Sequence, residues 1–187
     1  MIVNLRKVKG QLAAHKLMCL AEANPDLDKI LDGLGIPPGA AEALDLQIAH
    51  GLFKEDRFEF DSYGEAVVAF VVNDPLGEFP LDVAVVSMAD PSRYGTCNRQ
   101  ACLLGYESLE RHSTGKPSAP CPIYQNPGEW LQKRGRGLCI LDPIAAAPLL
   151  AAAKCHFASS DREHARELVD SGAIPIQRLW IRERWAA

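Results

Sequence analysis

No stretch of this chain is apolar for long enough to span a bilayer. The longest, Ala66 to Val72, falls far short of the roughly 20 residues that a membrane helix needs. The start, Met1-Ile2-Val3-Asn4-Leu5-Arg6-Lys7, carries no extended apolar region behind its charges and does not read as a secretory signal. A strong basic excess is missing as well. The formal charge of −4 speaks against a general nucleic-acid coat, although it leaves nucleic acid open as a partner. The six cysteines, at 19, 97, 102, 121, 139 and 155, form no dense framework and no Cys-x-x-Cys pair. Cys19, Cys139 and Cys155 lie in or beside apolar stretches, where a reduced cysteine packs as a small hydrophobe. A cytoplasmic protein with free thiols and no membrane partner is therefore expected. Internal repeats, low-complexity tracts, a Walker loop, a Gly-x-Ser-x-Gly elbow and a His-Glu-x-x-His pair are all absent from the sequence.

What is present is an ordinary globular composition, with 48% hydrophobic residues over 187 positions. Such a chain can bury a core without disulfide or metal staples. Residues 1–52 read as a helical N-terminal segment: a first helix to Asn24-Pro25, a second around Leu27, Ile30, Leu31 and Leu34, and a third from Ala40 to His50 closed by Gly51. Three short helices can form a DNA reader, but Asp26, Asp28, Asp32, Glu42 and Asp45 make this stretch acidic. A helical lid or dimerisation appendage is the better expectation.

Residues 53–187 read as an α/β domain. Strands are expected near 57–61, 65–73 and 79–86, as antiparallel neighbours joined by short turns. Residues 93–105 could be helical, and 113–120 form a polar loop. From Pro122 onward strands and helices alternate, the last strand covering Ile176 to Arg182, which points to parallel pairing. The expected fold class is thus α/β or α+β: a mixed sheet with an antiparallel meander, then strand–helix units, behind a short helical segment.

Three constellations could carry chemistry. Cys97, Cys102, His112 and Cys121 supply the ligand types of a zinc site, but their spacing is poor and fits independent structural side chains and no cofactor better. Asp161 and His164 stand three apart at a helix start, where a carboxylate could orient an imidazole for acid–base catalysis; a helix-dipole role for Asp161 is the alternative. Asp142 and Ser160 fall at strand carboxyl ends, where helix N-termini bind anions, and Arg134 and Arg136 add a basic cluster with Lys133. Arg178, Arg182 and Arg184 make a second cluster that suits either an anion patch or a solvated surface.

Three segments carry a resemblance. They are Asp82-Val83-Ala84-Val85 followed by Asp90-Pro91-Ser92-Arg93-Tyr94; Pro127-Gly128-Glu129-Trp130-Leu131 continuing through Gly137 to Pro143; and Asp161-Arg162-Glu163-His164-Ala165-Arg166-Glu167-Leu168. Across about residues 80–170 the chain resembles a family of uncharacterised proteins of alphaproteobacterial genomes, often encoded in prophage-like or mobile regions. The resemblance implies a setting near phage or plasmid replication genes and brings no functional residue with it. With no catalytic pattern outweighing a structural role, the expected function is a non-catalytic accessory protein with a protein partner or a second copy of itself. The alternative is an enzyme or binding domain for a nucleotide or phosphorylated compound at the strand ends.

Overall fold

A computed structural model describes residues 5–21, 26–55, 57–114 and 119–181. The chain divides into two compact units, Met1–Ala101 with Leu131–Arg134, and Cys102–Trp130 with Gly135–Ala187. The α/β class holds, with the meander and the strand–helix part forming separate sheets.

In the first unit, helix α1 (Leu5–Leu20) precedes the short helices α2 (Leu27–Gly33) and α3 (Ala40–Ala43). Five strands follow: β1 (Gln47–Phe53), β2 (Phe58–Phe60), β3 (Glu65–Asn73), β4 (Pro80–Ser87) and β5 (Tyr94–Thr96). They pair antiparallel in the order β2-β1-β3-β4-β5. The apolar runs of β3 and β4 fill the centre, where a strand is covered on both faces.

Three expectations are corrected here. The third helix does not reach His50. It stops where Asp45 takes a left-handed φ of 49°, while Leu46 N–H reaches back to the Ala41 carbonyl at 2.8 Å, a helix-ending pattern. Residues 47–53 then become β1, so position 52 lies inside a strand. That strand also separates β2 from β3, which are not neighbours. Residues 93–105, read as helical, contain β5 and a two-residue strand instead.

Helix α1 packs through Gly10, Ala13, Ala14 and Leu17, which recur at helical spacing and are buried. Ala13 and Leu17 join Val67, Ala69, Val83 and Val85 in one core. Gly10 sets the distance: a Cβ there would come within 2.1 Å of the Pro80 carbonyl oxygen and 2.6 Å of that of Leu81.

The second unit holds β6 (Leu103–Leu104), α4 (Tyr106–Thr114), β7 (Cys121–Tyr124), all but the last two residues of α5 (Pro127–Gln132), β8 (Leu138–Ile140), α6 (Pro143–Ala152), β9 (Phe157–Ser159), α7 (Arg162–Asp170) and β10 (Leu179–Ile181). Its sheet runs β10-β9-β7-β8-β6. The β7–β8, β7–β9 and β9–β10 pairs are parallel, and β6 is antiparallel. Leu109, Ile123, Leu138, Leu150, Phe157 and Leu168 are among the side chains of its core.

Replacing Gly10 with alanine tests the α1–β4 approach, because propensity and packing then predict opposite signs. Alanine favours a helix interior by about 1 kcal/mol, yet overpacking against backbone costs up to about 3 kcal/mol. The Gly10→Ala protein should melt several degrees below the parent. A raised Tm would show that α1 is not seated on β4 in this way.

Candidate functional site

In the second unit β7 has β8 on one side and β9 on the other, so the chain leaves it in one direction and returns past it in the other. Open parallel sheets bind ligands at such a switch point, beyond the strand carboxyl ends. The residues placed there are Gln125 and Asn126 after β7, Asp142 after β8, and Ser159 to Asp161 at the end of β9.

Each helix that starts at this end is closed by its own side chain. Asn126 accepts the Glu129 N–H at 2.9 Å, and the Glu129 carboxylate accepts the Gln125 N–H at 3.2 Å. Asp142 accepts from Ile144 and Ala145 at 3.0 and 3.1 Å. Asp161 accepts from the backbone N–H of His164 at 2.8 Å. These are N-cap bonds. An anion arriving at α6 or α7 would meet a carboxylate where it needs free N–H groups.

Asp161 therefore serves the backbone of His164 and is not bonded to its ring. The Asp161 carboxyl is held below its ordinary range chiefly by that N–H, and Ser160 adds a hydroxyl bond at 3.1 Å. The imidazole instead meets Ser159, whose Oγ lies 3.1 Å from Nδ1 and 3.1 Å from the Asp161 carbonyl. With the hydroxyl proton given to that carbonyl, the imidazole N–H donates to Oγ. Ser159 is fully buried and His164 nearly so. Burial pushes the His164 pKa down, against the opposing charges of Asp161, Glu167 and Glu129. A neutral, enclosed imidazole bonded to a buried hydroxyl locks the end of β9 to α7. The spacing Ser159-x-Asp161-x-x-His164 does signal the cap, because an N-cap side chain reaches the N–H three residues on. The serine–imidazole bond had no such signal.

Arg134 and Arg136 are exposed and lie in the turn that enters β8 at its amino end, whereas Asp142 and Ser160 follow the carboxyl ends of β8 and β9. Within the second unit, Arg136 thus stands at the opposite strand end from Asp142 and Ser160. Arg178, read as part of a basic patch, spreads its guanidinium over the carbonyls of Leu150, Ala151, Ala153 and Cys155 and lies 5.1 Å from the Phe157 ring centre. It closes the C-terminal end of α6, a role that basic residues fill well. Arg182 and Arg184 lie outside the described residues.

The four metal-ligand candidates fall in both units. Cys97 follows β5 in the first unit, while Cys102, His112 and Cys121 belong to the second. The His112 Nδ1–H donates to the Ser108 carbonyl at 2.7 Å. Burial pushes the Cys97 and Cys121 thiols up to about 12, with Asp82 adding to the first and Cys155 to the second. Zinc takes thiolates. Among the described residues no three His, Cys, Asp or Glu side chains gather into a metal-holding group. None of the six cysteines is in a disulfide. Comparison of the chain with protein-family models, curated proteins and solved structures found no match.

Two measurements check this account. A histidine whose folded pKa is lowered leaves stability intact above its ordinary value of 6.5. Below that value the unfolded chain takes up a proton that the fold refuses. Tm should therefore fall between about pH 7.5 and 5.5. His164→Asn, which keeps an N–H for Ser159, should lose less over that window, and equal losses would refute the enclosed imidazole. In thiol labelling of the native protein at neutral pH, exposed Cys19 should react first, and Cys121 and Cys139 only on unfolding. Joint protection of Cys97, Cys102 and Cys121 by added zinc would restore the metal site.

Proposed function

We propose that the chain is a non-catalytic accessory or interaction protein that works through contact with another protein. One observation carries this reading. Leu5, Val8, Leu12 and Met18 of α1 are 64%, 45%, 67% and 72% exposed, although the same helix buries a complete second face in the core. Apolar side chains grouped on one exposed helix mark an interaction surface more often than scattered ones do. The polar groups suited to chemistry support it indirectly: Asp142, Asp161, Ser159 and His164 already serve helix caps and an internal lock.

The proposal includes a cytoplasmic setting, supported by six cysteines without a disulfide. Among the described residues no helix is long and apolar enough to cross a membrane. A phage or mobile-element context belongs to the same proposal and rests on the three resembling segments alone. The competing reading, a nucleotide or phosphorylated compound at the strand ends, requires an anion where Asp142 and Asp161 stand.

Native mass spectrometry on gently purified protein is expected to show an added protein mass, a partner or a second copy. A single chain carrying a nucleotide-sized increment, lost on Asp142→Ala or Ser160→Ala, would sink the interaction reading and favour its competitor.

A further inference from the structure

Helix α1 contains four cations, Arg6, Lys7, Lys9 and Lys16, and no carboxylate, within a chain of formal charge −4. Positions 5, 8 and 12 are spaced by three and four, so their exposed side chains form one stripe along the outer face. Beside this stripe α1 and β2 border an open groove of about 330 Å³. Leu12, Phe58 and Phe60 form its apolar part, and Lys9, Lys16 and the paired Arg57 and Glu59 stand around it.

The cations differ in their commitments. Arg57 is paired with Glu59 at 2.7 Å, and that carboxylate also meets Lys54 at 3.3 Å. Lys16 lies 5.8 Å from the centre of the Phe60 ring. Neither Lys9 nor Lys16 has a carboxylate partner among the described residues.

We infer that this groove and the α1 stripe are the docking site for an acidic segment of a partner protein. One apolar side chain of the segment would fill the groove beside Leu12 and Phe60, and flanking carboxylates would meet Lys9 and Lys16. The inference rests on the interaction reading above and names the chemistry of the partner. A second copy of α1 fits poorly, because Lys9 and Lys16, which flank the stripe, would face like charges. A lipid surface is flat, whereas part of this site is concave. A nucleic-acid base would need an open ring face, and Lys16 already stands over Phe60. Exposed ion pairs are individually weak. The apolar anchor must therefore supply most of the affinity and the lysines the selectivity, with a marked dependence on salt.

The test is a selection of displayed random short peptides on the intact chain, counter-selected on the Lys9→Glu/Lys16→Glu protein. Both lysines are exposed, so the variant should fold; its melting curve confirms this, and Lys9→Gln/Lys16→Gln serves as a milder form. Selected peptides should combine a large apolar residue with two or more carboxylates. Their affinity should drop at least about tenfold for the variant. Anionic phosphatidylglycerol vesicles and a single-stranded oligonucleotide are the comparison probes. Peptides without carboxylates, or peptides indifferent to the lysine changes, would overturn this site and leave the interaction reading standing. So would lysine-dependent binding of vesicles or oligonucleotide without peptide binding. If no peptide prefers the intact chain, the site is also overturned, and a bound small molecule in the native mass spectrum would then remove the interaction reading with it.

Discussion

The first unit depends on one buried carboxylate. Asp82, inside strand β4, has no exposed surface, and a charge in that position is very costly unless it is fully bonded. Its two oxygens accept four backbone N–H groups. Oδ1 takes Val83 at 2.8 Å and Asn98 at 2.9 Å; Oδ2 takes Gln100 at 2.8 Å and Ala101 at 3.3 Å. Residues 98–101 have no regular element of their own. Asp82 supplies the acceptors that a neighbouring strand would otherwise provide, and so fixes the path by which the chain leaves the first unit after Ala101. Removing one partner from such a group leaves the rest unsatisfied, which makes the arrangement all-or-none in character.

The second unit solves the same problem locally. Its helices are short, so the unpaired N–H and C=O groups at their ends are a large share of their backbone. Asn126, Asp142 and Asp161 cover the amino ends, and Arg178 covers the carboxyl end of α6. This has a functional consequence. The switch point where a parallel sheet would ordinarily receive a phosphate is the place where this chain puts its own carboxylates. The feature that makes α6 and α7 stable also makes their N-termini poor anion sites.

What was legible in the sequence follows the same division between local and non-local causes. The β3 and β4 runs and the alternation from β7 to α7 could be read because each is set by residues adjacent in the chain. Ala40 to His50 could not: Ala-Ala-Glu-Ala-Leu favours a helix, and the break depends on Asp45 accepting a left-handed conformation that only a few residue types tolerate. Residues 94–96 carry no local strand signal, because pairing with Ala84 to Val86 decides their state. Among the site residues, Asp161 was placed correctly at a helix start, but the three-residue spacing was given to the imidazole when geometry gives it to the backbone N–H. Arg178 was legible only as charge, since its carbonyl partners lie more than twenty residues back.

Charge illustrates why a whole-chain sum is a poor guide to partners. The exposed acids of α2 and α3, among them Asp28, Asp32 and Glu42, help to make the total negative, whereas α1 is wholly cationic. At physiological ionic strength exposed charges act over about 8 Å. A segment lying in the α1 groove therefore meets Lys9 and Lys16, while Glu59 beside them is already neutralised by Arg57 and Lys54. The low net charge limits unspecific binding to polyanions, and the local cations still attract carboxylates. An acidic chain can present a basic docking face because screening separates the two properties. The apolar stripe beside those lysines then decides which acidic partner stays.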